Sequence, residues 1–226
     1  MNTSYSFACF FLFIAILSCN NKSSDAIAKE EKIESSTAID SLTKQKTIVF
    51  FGNSLTAGYG VDPAEAYPAL VQDIIDSLKL GYKVVNAGVS GETSAGGNGR
   101  IDWILRQPLD VFVLELGGND GLRGIPLTET RKNLQAIIDK VKAKYSDSKI
   151  VLEGMQIPPN MGQQYATDFK NIYPELASKN NATLIPFLLK GVGGDAKLNQ
   201  QDRIHPTPEG HKILAQTVWE VLKDIL

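Results

Sequence analysis

From residue 47 to the C-terminus the chain alternates short apolar runs with stretches of helical periodicity, and this alternation constrains the fold more than any other feature. The runs fall at 47–51, 82–86, 110–116, 149–154 and 182–187. Their hydrophobicity is continuous rather than alternating, as in Val111-Phe112-Val113-Leu114. Strands of that kind need cover on both faces. Between them apolar residues recur at helical spacing: Leu70, Ile74 and Leu78; then Leu134, Ile137, Ile138 and Val141; then Phe169, Ile172, Tyr173 and Leu176. A last helix is predicted over 208–226, with Thr207 as N-cap, Pro208 in the first position and a stripe of Leu214, Val218, Leu222 and Ile225. Strand–helix alternation of this kind implies an α/β fold, a three-layer α/β/α sandwich with a five-stranded, mainly parallel sheet. Ligands on such sheets bind beyond the carboxyl ends of the strands, so the chemistry should follow the strands directly.

Composition narrows the function. The chain has 226 residues and a formal charge of -2, which gives no electrostatic case for nucleic acid. Two cysteines and two histidines are too few for tetrahedral zinc or iron–sulfur sites, and no EF-hand spacing occurs. Neither a metal nor a cofactor is expected.

Residues 7–18 form an uncharged apolar run, too short to span a bilayer comfortably and suited to the core of a signal peptide. The run ends in Ile16-Leu17-Ser18-Cys19, which resembles the lipobox of bacterial lipoproteins. That resemblance implies a signal peptide over 1–18, cleavage before Cys19 and diacylation of Cys19. Met1 to Ser6 lack the usual Lys or Arg. From 20 to 46 there is no Gly, Pro or aromatic residue, and Ser, Lys and Glu dominate. Such a stretch cannot bury enough apolar surface to offset its ordering entropy. Residues 19–46 are therefore expected to be a disordered tether reaching at most roughly 90 Å, with the folded domain at 47–226. The expected location is an exported, membrane-anchored lipoprotein, with the membrane as partner through Cys19.

Four blocks follow strands. The first, after 47–51, is Phe51-Gly52-Asn53-Ser54-Leu55-Thr56-Ala57-Gly58, which presents Ser54 at the sheet edge near a helix N-terminus. By itself it also reads as an anion-binding turn or a capping serine. The second, Asn86-Ala87-Gly88-Val89-Ser90-Gly91-Glu92-Thr93, offers the Gly91 N–H as a donor, and also reads as an ordinary loop. The third, Glu115-Leu116-Gly117-Gly118-Asn119-Asp120-Gly121, projects the Asn119 amide, and also reads as a turn. The fourth is Asp202-Arg203-Ile204-His205-Pro206, whose spacing lets the carboxylate reach His205 Nδ1 and leave Nε2 free as a base. His211 has no such acidic neighbour and is expected to be a surface or packing residue.

Their order is more specific than any one of them. The sequence Ser, Gly, Asn, Asp-x-x-His on successive loops resembles the SGNH or GDSL hydrolase family over about 47 to 224, and more narrowly its arylesterase, thioesterase and lysophospholipase branch. The resemblance implies a flavodoxin-like SGNH fold and a serine esterase acting on esters or thioesters of acyl chains, lysophospholipid-like molecules included. Ser54 would be the nucleophile, His205 its base and Asp202 the base's partner. Ser54, Gly91 and Asn119 would supply the oxyanion donors, and the segment holding Met155, Ile157, Pro158 and Met161 would line the acyl pocket. One residue departs from the pattern: the family's first block usually has Asp where this chain has Asn53. A carbohydrate O-acetylesterase and an inactive binding module of the same fold are the alternatives. Oligomeric state is not legible.

Overall fold

The computed structural model describes residues 45–226. The expected signal peptide, Cys19 and all of the expected tether except its last two residues lie outside the described residues. Within them no helix is long and apolar enough to cross a membrane.

The first strand, β1 (Lys46–Gly52), begins one residue before the expected domain start and leads into a short helix, α1 (Ser54–Ala57). Then come α2 (Tyr67–Ser77), β2 (Tyr82–Asn86), α3 (Ser94–Ile104), β3 (Val111–Glu115), α4 (Gly118–Leu122) and α5 (Leu127–Lys144). The chain ends with β4 (Lys149–Glu153), α6 (Gln163–Asn180), β5 (Thr183–Ile185) and α7 (Pro208–Leu222). The sheet order is β2-β1-β3-β4-β5, and every pair is parallel. Helices flank this sheet, with α3 packed on α5 and α5 on α6, and α2 packed on α7.

The continuous apolar runs are the reason for the three layers. All five residues of β3 are buried, as are Ile48, Val49, Phe50 and Phe51 of β1. Burying a side chain of this size stabilises the fold by about 1.5–3 kcal/mol. In α7 three of the four expected stripe residues, Leu214, Val218 and Leu222, are buried, the helix ends before Ile225, and Thr207 Oγ1 accepts from Gly210 N–H. In α2 the face is rotated from the expected one. Tyr67, Val71 and Ile75 are buried, whereas Leu78 is exposed beyond the helix end. In α6, Pro174 removes one helical hydrogen bond, but it stands on the exposed face, where water can serve the freed carbonyl.

Topology places the site. From β1 the chain moves to β2 on one side and then returns to β3 on the other, so the loops after β1 and β3 diverge and leave a crevice between them.

Candidate active site

At the end of β1 the chain turns at Asn53, whose Oδ1 accepts from Leu55 N–H at 3.0 Å and caps α1. Ser54 is thus the first helical residue, with an N–H that has no intrahelical acceptor. A Cβ at Gly52 would lie 2.0 Å from Thr56 Oγ1 and 2.6 Å from Glu115 Oε2, so only glycine fits beside β3 there.

His205 comes from the loop before α7. Asp202 Oδ1 accepts from the N–H groups of Ile204 (2.9 Å) and His205 (3.0 Å), and Oδ2 lies 2.6 Å from His205 Nδ1. This tight turn places Arg203 at φ 60, a left-handed conformation that disfavours a residue with a Cβ by roughly 1–2 kcal/mol. His205 Nε2 lies 2.9 Å from Ser54 Oγ. Gln200 ties the two loops together, donating from Nε2 to the carbonyls of Tyr59 (2.7 Å) and Pro206 (3.0 Å) and from its N–H to that of His205 (2.7 Å). The Tyr59 ring covers the imidazole, with centroids 4.6 Å apart. The hydrogen bond from His205, helped by two backbone N–H groups, lowers the Asp202 pKa to about 2. Asp202 is therefore an anion at neutral pH and holds His205 with Nδ1 protonated and Nε2 facing the serine.

The other two blocks meet at the same edge. Asn119 Nδ2 donates to the Glu92 carbonyl at 2.9 Å, which orients the amide and leaves its second hydrogen available. Gly91 is exposed with φ 79, and its carbonyl accepts from Arg123 at 3.0 Å. Arg100 fixes the loop between them: its Nε and Nη2 pair with Glu92 at 2.6 and 2.5 Å, and Nη2 donates to the Ala87 carbonyl at 2.7 Å. Buried Asp120 accepts from Ser94 N–H (2.8 Å) and Oγ (2.5 Å), joining α3 to α4.

The expected acyl-pocket segment divides. Met155 and Ile157 are 4% and 8% exposed and belong to the core. Ile157 lies so close beneath α4 that a Cβ at Gly121 would meet it at 2.6 Å. These two pack beneath the Asn119 helix, Met155 against Gly118 and Ile157 against Gly121. Pro158 and Met161 are at the surface.

Sequence reasoning missed the layer under Ser54. Glu115 and Glu153, at the ends of β3 and β4, are 1% and 0% exposed and link to the Ser54 turn through Thr56 and Tyr67. The available signal was an acidic residue closing an otherwise apolar strand. His211 is a packing residue: wholly buried, stacked on Tyr67, with Nδ1 accepting from Tyr67 N–H at 3.2 Å. Burial lowers its pKa to about 4. Among the described residues no cluster of His, Cys, Asp and Glu could hold a metal.

Residues 50–213 match the GDSL-like lipase/acylhydrolase family. The chain belongs to this family. It is 38% identical over 189 residues to esterase TesA of Pseudomonas aeruginosa, covering 82% of this chain and 93% of that one. It is 36% identical over 181 residues to thioesterase 1/protease 1/lysophospholipase L1 of Escherichia coli K12, covering 80% and 85%. The crystal structure of TesA superposes with a TM-score of 0.77 over 80% of this chain and all of that one (100%). That of the psychrotrophic esterase EstA from Pseudoalteromonas, inhibited by monoethylphosphonate, gives 0.75 at 32% identity over 79% and 97%. Within this GDSL-like family the chain is a carboxylic ester hydrolase with the SGNH fold.

Proposed function

We propose that Ser54, His205 and Asp202 form the catalytic triad of an acyl-ester hydrolase. The reading rests above all on one observation, the continuous contact from Asp202 Oδ2 through the imidazole to Ser54 Oγ, at 2.6 and 2.9 Å. His205 Nε2 takes the serine proton as Oγ attacks the carbonyl carbon of the ester. The resulting oxyanion is held by the N–H groups of Ser54 and Gly91 and by the Asn119 amide. His205 then returns the proton to the departing alcohol or thiol, leaving an acyl-enzyme on Ser54. Water adds to that acyl group with His205 again as base, and the acid leaves as Ser54 regains its proton. Asp202 stays ionised throughout and stabilises the imidazolium.

The substrate class follows from the relatives' names together with the apolar edge at Pro158 and Met161: esters or thioesters of acyl chains, including lysophospholipid-like molecules. At the N-terminus the reading is a signal peptide over 1–18, a lipid-modified Cys19 and a tether running to the domain, which makes the enzyme an exported lipoprotein. Partitioning of the wild type into detergent, abolished by Cys19→Ser, tests the anchor; equal solubility of both forms refutes it.

A fluorophosphonate probe tests the triad. One adduct on the intact protein is expected, absent in Ser54→Ala and greatly slowed in His205→Ala; an unlabelled wild type overturns the reading. Across p-nitrophenyl esters, kcat/KM should rise from acetate to hexanoate, since each enclosed methylene contributes about 0.8 kcal/mol. A preference for acetate and for acetylated xylan would favour the O-acetylesterase.

A further inference from the structure

Beneath Ser54 two buried carboxyls are joined through two hydroxyls. Glu115 Oε2 lies 3.0 Å from Thr56 Oγ1, Thr56 Oγ1 lies 3.0 Å from Tyr67 OH, and Tyr67 OH lies 2.8 Å from Glu153 Oε2. Three oxygen–oxygen contacts of hydrogen-bond length need three hydrogens. Thr56 and Tyr67 supply two. If both carboxyls were ionised, each hydroxyl would point outward to its own carboxylate, and the central contact would set lone pair against lone pair. The third hydrogen is therefore a carboxyl proton, and Glu115 and Glu153 hold it between them.

The remaining partners decide which end carries it. Glu115 accepts two further hydrogens, from Asn53 N–H at 3.0 Å and Asn53 Nδ2 at 2.6 Å, both of which favour the anion. Glu153 Oε1 is buried and has no partner among the described residues, which suits the carbonyl oxygen of a neutral acid far better than a carboxylate. Neither forms an ion pair among the described residues, and the nearby Arg100 is engaged by Glu92. The other titratable groups around the pair are Tyr67 on α2, Tyr173 on α6 and Asp120 on α4, none of which brings a positive charge. His211, on α7 against Tyr67, is held neutral by burial.

Building on the triad reading, we propose that Glu153 keeps its proton so that Glu115 can stand as a buried anion, and that Glu115 is a positioning residue acting on Ser54 through Asn53. As an acceptor, Glu115 binds the nitrogen end of the Asn53 amide. The oxygen end must then face Leu55 N–H, capping α1, and it lies 3.4 Å from Ser54 Oγ. Asn53 thereby has a specific meaning. Its amide brings the hydrogen that the 2.6 Å contact to Glu115 requires, whereas the family's usual aspartate would need a second buried proton there. In line with this, burial raises Glu115 to about 7, while burial and the neighbouring Glu115 raise Glu153 well above the ordinary carboxylate range.

The two Glu→Gln variants should be unequal. Glu153→Gln donates to Tyr67 as the carboxylic acid does, so its fluorophosphonate labelling should stay within about twofold of wild type and its melting temperature at pH 8 should not fall. Glu115→Gln turns an NH₂ toward Asn53 or Thr56, loses an acceptor, and should label about tenfold more slowly, consistent with roughly one lost buried hydrogen bond at the cap. Adding Asn53→Asp to Glu115→Gln exchanges amide and carboxylate across the contact and should restore most of the labelling rate. A purely structural Glu115 would lower the melting temperature of the variant without slowing labelling of its folded fraction. By infrared difference, the carbonyl stretch of a protonated carboxyl at pH 8 should vanish in Glu153→Gln and persist in Glu115→Gln. Equal or reversed effects, or a protonated-carboxyl band lost from Glu115→Gln instead, overturn the proposal. If Glu115→Gln does not fold, a destabilised Glu153→Gln overturns it alone. Failure of the wild type to label would count against the triad, and the infrared result would still decide the proton.

Discussion

Ser54 stands between two acids that the fold treats in opposite ways. Asp202, on the outer side, is more than a third exposed and keeps its charge because His205 and two backbone N–H groups bind the anion. Glu115, on the inner side, accepts three hydrogens as well, yet burial raises it to about 7. The number of hydrogen bonds is therefore not what separates them. Solvent is. In the proposed triad the acid that must be charged during turnover is cheaply kept at the surface, whereas the acid proposed only to hold a turn in place can be buried, provided the carboxyl beside it takes the proton.

The sharpest way to break this comparison is to neutralise the outer acid. Asp202→Asn keeps the shape but turns an NH₂ toward His205, favouring the wrong tautomer; the same change in a serine protease lowers kcat by about 10⁴. A loss of that order is expected here in ester hydrolysis, roughly a thousandfold more than the effect expected of Glu115→Gln on labelling. Comparable losses for both variants would mean that the two acids do not have separate roles.

Asn119→Ala sharpens the outer half of the comparison. The amide hydrogen not used by Glu92 matters most when charge develops on the substrate oxygen, so kcat should fall while KM changes little. Loss of one such donor costs about 2.7–4 kcal/mol, and with two backbone donors left the lower figure, about 10² in rate, is expected. A raised KM at unchanged kcat would remove Asn119 from the oxyanion site.

How legible each part was follows from the range of its interactions. The central strands β1, β3 and β4 stood out because burial on both faces leaves an unbroken apolar run, and the Asp202–His205 pair because its partners are three residues apart. The helix α3 was not predicted. Its sequence, SAGGNGRIDWI, has no apolar stripe, and it docks instead through closeness: a Cβ at Gly97 would come within 2.3 Å of Leu116. For α2 the residues Leu70, Ile74 and Leu78 gave the right element but the wrong face, because Tyr67, Val71 and Ile75 have the same spacing one residue around. Met155 and Ile157 lie in an apolar segment after a strand, and such a segment reads alike whether it faces a ligand or the underside of a helix. The layer of Glu115, Thr56, Tyr67 and Glu153 joins residues up to 86 positions apart, and no local pattern announces it.

The remaining predicted effect concerns stability, and it follows from the opposite signs of the two kinds of acid. Asp202 has a folded pKa below its ordinary 3.8, so its contribution is present above that value and is lost as pH falls toward 2. Glu153 has a folded pKa well above its ordinary 4.5. Above pH 4.5 the unfolded chain therefore releases a proton that the folded chain retains, and each further pH unit destabilises the fold by up to about 1.4 kcal/mol until Glu153 itself ionises. Glu153→Gln has no such proton to retain. Its stability relative to wild type, from urea unfolding at a series of pH values, should be flat below about pH 4 and climb with pH above it. For Asp202→Asn the relative stability should run the other way, lowest above pH 4 and approaching wild type as pH falls toward 2. If the Glu153→Gln difference is independent of pH between 5 and 8, Glu153 is ionised in the folded protein, and the third hydrogen of the chain from Glu115 to Glu153 must be sought elsewhere.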